Sequence, residues 1–241
     1  MPDLVSSIRE RYLQTQERID AAARAAGRDV SEVRLVVVTK SQPVEVVQAA
    51  VDAGVRILGE NYPEEGVMKI QSVREASAVE WHMIGHVQSR KAGLVAANYH
   101  MMHSLDGQKL AERLDRFAEP NGRRLAVLLE FNLGAEESKY GWPAQAESSW
   151  DKLAGELEPV LTLPNLHVQG LMCMPPLGET AEASRSYFRK LRALRDFLSK
   201  QFPGTNLTQL SMGTSADFEV AVQEGSTLVR VGTAIVGSRS N

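Results

Sequence analysis

The chain has 241 residues, 43% of them hydrophobic and 24% charged, an ordinary composition for a soluble globular protein of one large or two small domains. A net charge of −3, a pI near 6.0 and scattered Lys and Arg argue against a surface that grips nucleic acid or anionic membrane. Cys173 is the one cysteine, which excludes an intrachain disulfide and leaves no Cys/His set with zinc spacing.

The first residues lack the basic and apolar regions of a signal peptide, and no run approaches the ~20 apolar residues that span a bilayer. A soluble, cytoplasmic protein is expected. Residues 4–26 place Leu4, Ile8, Tyr12, Ile19 and Ala23 at helical spacing before Gly27, which predicts an amphipathic helix. Short apolar runs then recur at 35–39, 55–58, 80–84, 101–104, 125–132, 168–172, 207–211 and 228–231. Helical patterns separate them, at 44–53, 108–117, 144–161, 183–202 and 216–224.

Strands alternating with helices predict a parallel sheet covered on both faces. Eight such strands in 241 residues match a closed (β/α)8 barrel, whose typical length is about 250 residues. The open doubly wound sheet is the competing architecture, but it carries a glycine-rich turn after its first strand. Here that turn reads Thr39-Lys40-Ser41-Gln42-Pro43. The expectation is therefore one barrel domain over residues 1–241 with an extra N-terminal helix.

Such barrels put their chemistry at the C-terminal strand ends. In order, those ends carry Lys40, Glu60-Asn61, Gly85-His86, Ser104, Asn132 and Met174-Pro175-Pro176. The seventh opens into Ser211-Met212-Gly213-Thr214-Ser215, and the eighth carries Arg230 and then Gly232-Thr233-Ala234. The last two clusters offer hydroxyls and backbone N–H groups that either cap helices or bind a phosphate, which barrels often hold after strands seven and eight. "VVVTK" runs an apolar strand into Lys40. That lysine either snorkels to solvent or, partly desolvated, keeps a neutral amine. A neutral amine can form a Schiff base with a sugar phosphate or hold pyridoxal phosphate (PLP) as an internal aldimine.

Other candidates read as structural. His82 with His86, and His100 with His103, lack carboxylates at metal-site spacing, and Cys173 lies in an apolar strand. Glu64 and Glu65 read as a solvated first helical turn. Trp81 and Trp142 read as packing anchors, and Tyr62 and Tyr140 as loop packing residues.

The segments "VVVTKSQP", "AGVRILGENYPEEGVMKI", "EWHMIGHVQSRK", "ESKYGW", "VQGLMCMPP" and "LSMGTSADFEVAVQEGSTLVRVGTAIVGSR" resemble, in order, those of the YggS/PROSC family of pyridoxal phosphate homeostasis proteins. The resemblance spans about residues 34–239 and implies a barrel like the N-terminal domain of bacterial alanine racemase. It implies that Lys40 is the Schiff-base lysine for PLP and that Asn61 lies beside the cofactor. Ser215, Gly232 and Thr233 would hold the phosphate, Arg230 would face the pyridine nitrogen, and Met212, Gly213, His82 and Ile84 would line the pocket. Two positions depart from the family pattern: Thr214 stands where "SMGMS" has its second methionine, and Arg90 where "LQxNK" has asparagine.

An arginine only donates hydrogen bonds and stays charged, so at the ring nitrogen it weakens the electron sink that most PLP enzymes exploit. The chain also leaves no room after the eighth unit for the racemase's second domain with its tyrosine base and dimer interface. The resemblance therefore implies a monomeric PLP carrier and buffer that serves apo-enzymes in vitamin B6 homeostasis. A racemase-like PLP enzyme is the alternative.

Overall fold

The computed structural model describes residues 3–134, 136, 140–176 and 180–238. Glu137, Ser138 and Lys139 of "ESKYGW", residues 177–179 and Arg239 lie outside the described residues. The strands are β1 Arg34–Val38, β2 Ile57–Glu60, β3 Glu80–Met83 and β4 Met101–Leu105. They continue with β5 Leu125–Asn132, β6 Leu166–Cys173, β7 Gln209–Thr214 and β8 Leu228–Val231. Each pairs in parallel with the next, β4 with β5 included, and β8 returns to β1 through Leu228↔Arg34 and Arg230↔Val36. The sheet closes, and the fold is the (β/α)8 barrel that the pattern predicts.

Helices α1 Leu4–Ala25, α2 Val44–Asp52, α3 Pro63–Ser72, α4 Ala92–Asn98 and α5 Gln108–Ala118 lie outside the strands. So do α6 Trp150–Leu161, α7 Arg185–Gln201, α8 Phe218–Gln223 and the short α9 Thr233–Val236. Asp3 caps α1 by accepting from the Ser6 N–H at 2.7 Å, and Gly27, at φ +68, ends it in the left-handed region that glycine tolerates. The helix packs on α2, α8 and α9. No helix of the described residues is long and apolar enough to cross a membrane.

Two apolar layers follow from the period of two along each strand. Val37, Leu58, Met83, Met102, Leu129, Leu171, Leu210 and Val229 face the helices in one large cluster. Val36, Met101, Leu128, Met172 and Leu228 form a separate small cluster inside the barrel. Trp81 and Trp142 are buried in the outer layer. The interior is not wholly apolar, because His82, His103, Ser211 and Arg230 are buried there too.

Three of the boundaries that differ from the sequence pattern have a visible cause in the backbone. Val55 does not open β2, since its N–H closes α2 on Ala50 O at 3.1 Å. Helix α6 does not begin at 144: Trp142–Pro143 pairs with the end of β5, and the Ala144 N–H still bonds to Asn132 O at 3.1 Å. Strand β7 runs on to Thr214, with a register shift between Ser211 and Thr214 and Gly213 at φ +93.

The seam between β6 and β7 permits no side chain at Gly170, where a Cβ would lie 1.9 Å from Gln209 O. Gly170→Ala is expected to destabilise by about 1–3 kcal/mol or more through overpacking, measured as a lower urea midpoint. At Gly155, inside α6 with nothing within 4 Å of a built Cβ, alanine is expected to raise the midpoint, by about 0.5–1 kcal/mol.

Candidate functional site

A cavity of about 620 Å³ opens at the C-terminal mouth, lined from the ends of β1, β2, β3, β5, β6, β7 and β8. Lys40, Asn61, Ile84, Ser215, Arg230, Gly232 and Thr233 line it together. The sheet brings these residues to one place: Val36 and Val38 point inward on β1, and Lys40 follows two residues on. Arg230 stands beside Val36 on the neighbouring strand. At Gly232 an added Cβ would sit 3.2 Å from Val38 O, tighter than an ordinary contact, so glycine lets the two chain ends approach.

The backbone around Lys40 rests on buried charges. Lys69, from α3, is 1% exposed, and its Nζ donates to Thr39 O at 2.7 Å, Glu60 Oε1 at 2.9 Å and Glu65 Oε1 at 2.5 Å. The Thr39 hydroxyl donates to Glu60 Oε1 at 2.6 Å. The Ser41 N–H donates to Glu65 Oε1 at 2.7 Å, which holds Ser41 at φ 57, a strained conformation for a residue with a Cβ. Burial pushes the Glu60 carboxyl up, while the Lys69 ammonium and the Thr39 hydroxyl pull it back. Glu65 is therefore no solvated first-turn residue. Glu64 is, with its carboxylate on Lys91 at 2.7 Å.

At the other end of the cavity the Gly232 N–H donates to Ser215 Oγ at 3.3 Å. Thr214 donates from its N–H and its hydroxyl to Asp217 Oδ1, at 2.7 and 3.1 Å, and so braces the loop that carries Ser215. Asn61 Oδ1 is buried with no hydrogen-bond partner among the described residues, a cost that a ligand donor would remove. Burial pulls the Arg230 guanidinium down from its ordinary value, with Glu130 and Asp217 acting the other way.

Not every expected residue arrives. Met212 and Gly213 do not line the cavity. Met212 is buried in the outer layer, and at Gly213 a Cβ would meet Ala221 Cβ at 2.5 Å, so its role is to let α8 approach. His82 lies deeper in the barrel, 3.0 Å from His103. Arg90 bonds to Gln88 at 3.0 Å and is also off the cavity.

Other residues at the cavity were unmarked by the sequence reading or read there as structural. Glu130 lines the cavity, and its signal was a lone carboxylate in the apolar run 125–132. Tyr140 is exposed rather than packed; it stacks on His86 at 3.6 Å between centroids. His86 Nδ1 lies 2.7 Å from Asp106 Oδ2. Lys69 left only an i,i+4 pair with Glu65 in the sequence, which reads as a surface pair.

The profile of the alanine racemase N-terminal domain family matches residues 14–240. A pyridoxal phosphate homeostasis protein of Aquifex aeolicus is 39% identical over 230 residues, covering 95% of this chain and 97% of that one. The chain belongs to this family. Among solved structures, PipY of Synechococcus elongatus without PLP shares 33% identity at a TM-score of 0.84, covering 95% of this chain and 100% of that one. PipY with PLP bound matches at 32% identity and a TM-score of 0.81, with the same coverage. Alanine racemase of Clostridium difficile, at 15% identity and a TM-score of 0.67, covers 95% of this chain and 56% of its own; that likeness is one of fold.

Removing the Lys69 ammonium strands a buried carboxylate. Lys69→Met is expected to cost about 3–5 kcal/mol, and adding Glu60→Gln is expected to return part of it. Denaturant unfolding of the single and double variants measures both.

Proposed function

We propose that the protein holds PLP at this mouth, covalently through Lys40 Nζ, and acts as a monomeric cytoplasmic carrier and buffer for the cofactor. The observation that carries the reading is the convergence of Lys40, Asn61, Ser215, Arg230, Gly232 and Thr233 on one cavity. The relatives' name, pyridoxal phosphate homeostasis protein, and the PLP-bound PipY structure support it. The residues fit the group. The Lys40 amine suits an aldehyde, the unsatisfied Asn61 Oδ1 suits a ligand donor, and the small residues Ser215, Gly232 and Thr233 offer hydroxyls and N–H groups to a phosphate.

PLP supplies a reactive aldehyde and a ring that withdraws electrons when its nitrogen is protonated. Arg230, a donor only, disfavours that protonation. The site is therefore suited to holding and handing on the cofactor, with apo-enzymes as recipients, more than to carbanion chemistry. One observation favours a racemase-like alternative: His86, oriented by Asp106 at 2.7 Å, is an acid–base group on the cavity wall.

The purified protein is expected to gain a visible absorption band with PLP that Lys40→Ala abolishes; protein that stays colourless overturns the reading. Arg230→Glu is expected to shift the band. Incubating the loaded protein with single L-amino acids, while following chirality and keto-acid release, separates carrier from enzyme. Turnover on the order of 1 per second, lost in His86→Ala, would favour the enzyme.

A further inference from the structure

Beneath the cavity, the barrel interior holds a line of side chains that cofactor binding alone does not account for. Arg230 Nη1 donates to Ser211 Oγ. Ser211 Oγ lies 2.8 Å from His103 Nδ1, and His103 Nε2 lies 3.0 Å from His82 Nδ1. His82 Nε2 lies 3.4 Å from Glu80 Oε2, the longest link, and Arg34 Nη2 donates to the same oxygen at 2.6 Å. Ser211, His103 and His82 are fully buried. The Glu80 and Arg34 side chains are 48% and 39% exposed, where the line meets solvent at the opposite mouth.

The two ends set the direction of every bond. A guanidinium only donates, so Ser211 Oγ accepts from Arg230 and keeps its one proton free for His103 Nδ1, a direction that the Glu80 end then requires. His103 then carries its proton on Nε2 and donates to His82 Nδ1. His82 likewise carries its proton on Nε2 and donates to the Glu80 carboxylate. The opposite polarity would set a lone pair of His82 against that carboxylate. Burial keeps both rings neutral by lowering their pKa values. The charged and titratable groups that face them are Glu80, Arg34 and His100 for His82, and Arg230, Arg34 and His82 for His103.

Arg230 needs such support. Its other interior hydrogen bonds run to the Cys173 carbonyl at 3.1 Å and the Met174 sulfur at 2.9 Å, both neutral; Glu130 and Asp217 favour its charge electrostatically, but burying a cation is still costly. Aligned hydrogen bonds polarise one another in a low-dielectric interior. We propose that Ser211, His103 and His82 are positioning residues, a one-way relay that ties the Arg230 guanidinium to the Glu80 carboxylate through the barrel and fixes how Arg230 faces the cavity. This deepens the PLP reading, which sets Arg230 against the ring nitrogen; the tautomers themselves do not depend on it.

Nitrogen NMR of the 15N-histidine-labelled protein without PLP, at pH 7, is expected to show His82 and His103 neutral and protonated on Nε2. Glu80→Ala, a surface change, is expected to move the His103 ring resonances although no Glu80–His103 contact links them. Ser211→Ala is expected to weaken PLP binding about 10-fold and shift the bound absorption band, with Ser211→Thr restoring both. A proton on Nδ1 of either ring overturns the relay, as do His103 resonances unmoved by Glu80→Ala. PLP binding and spectrum unchanged in Ser211→Ala overturn the positioning of Arg230. Should the wild-type protein fail to bind PLP, the cofactor reading falls and the tautomers alone decide the relay.

Discussion

The pairing of β8 with β1 is the contact on which the site depends. Val36↔Arg230 closes the sheet and makes neighbours of residues that are far apart in the chain. It places the strand that leads to Lys40 against the strand that carries Arg230, and it lets Gly232 approach the Val38 carbonyl. A side chain at 232 would push the β8 loop away from the β1 end. Without closure, each cluster would be an isolated strand end, and neither would define a cavity.

Two buried cations then need support, and they receive it by different physics. Lys69 is held by direct ion pairs, and through them it grips both neighbours of Lys40. Arg230 instead hydrogen-bonds to neutral groups in the barrel, with Glu130 and Asp217 acting on it electrostatically and the Glu80 carboxylate at the far end of a hydrogen-bonded line. The usual barrel interior is layered with branched apolar side chains. Here only a small apolar cluster remains inside, and polar groups take the rest of the space. The larger apolar layer lies between sheet and helices.

The likeness to alanine racemase extends to the barrel and stops short of that protein's full length. With pyridoxal phosphate homeostasis proteins it extends over nearly the whole of both chains. In this chain the cavity wall carries Tyr140 stacked on His86, with Asp106 behind it. Thr214 turns its hydroxyl to Asp217 and braces the Ser215 loop.

The sequence by itself determined the barrel and the strand ends, because alternation of apolar runs and helical periods is a local pattern that burial on both faces imposes. It also marked Lys40, Asn61, Ser215, Arg230, Gly232 and Thr233 as candidates, since each sits at a strand end or in a small-residue loop. Only the tertiary structure decided that Met212 and Gly213 turn away, that Glu65 and Lys69 go under the lysine, and that His82 and His103 meet across the barrel. Those outcomes rest on contacts between elements distant in sequence. A one-residue bulge at Gly213, or the inward parity of β3 and β4, reverses which side of the sheet a side chain occupies. A local pattern carries no information about which neighbour waits there.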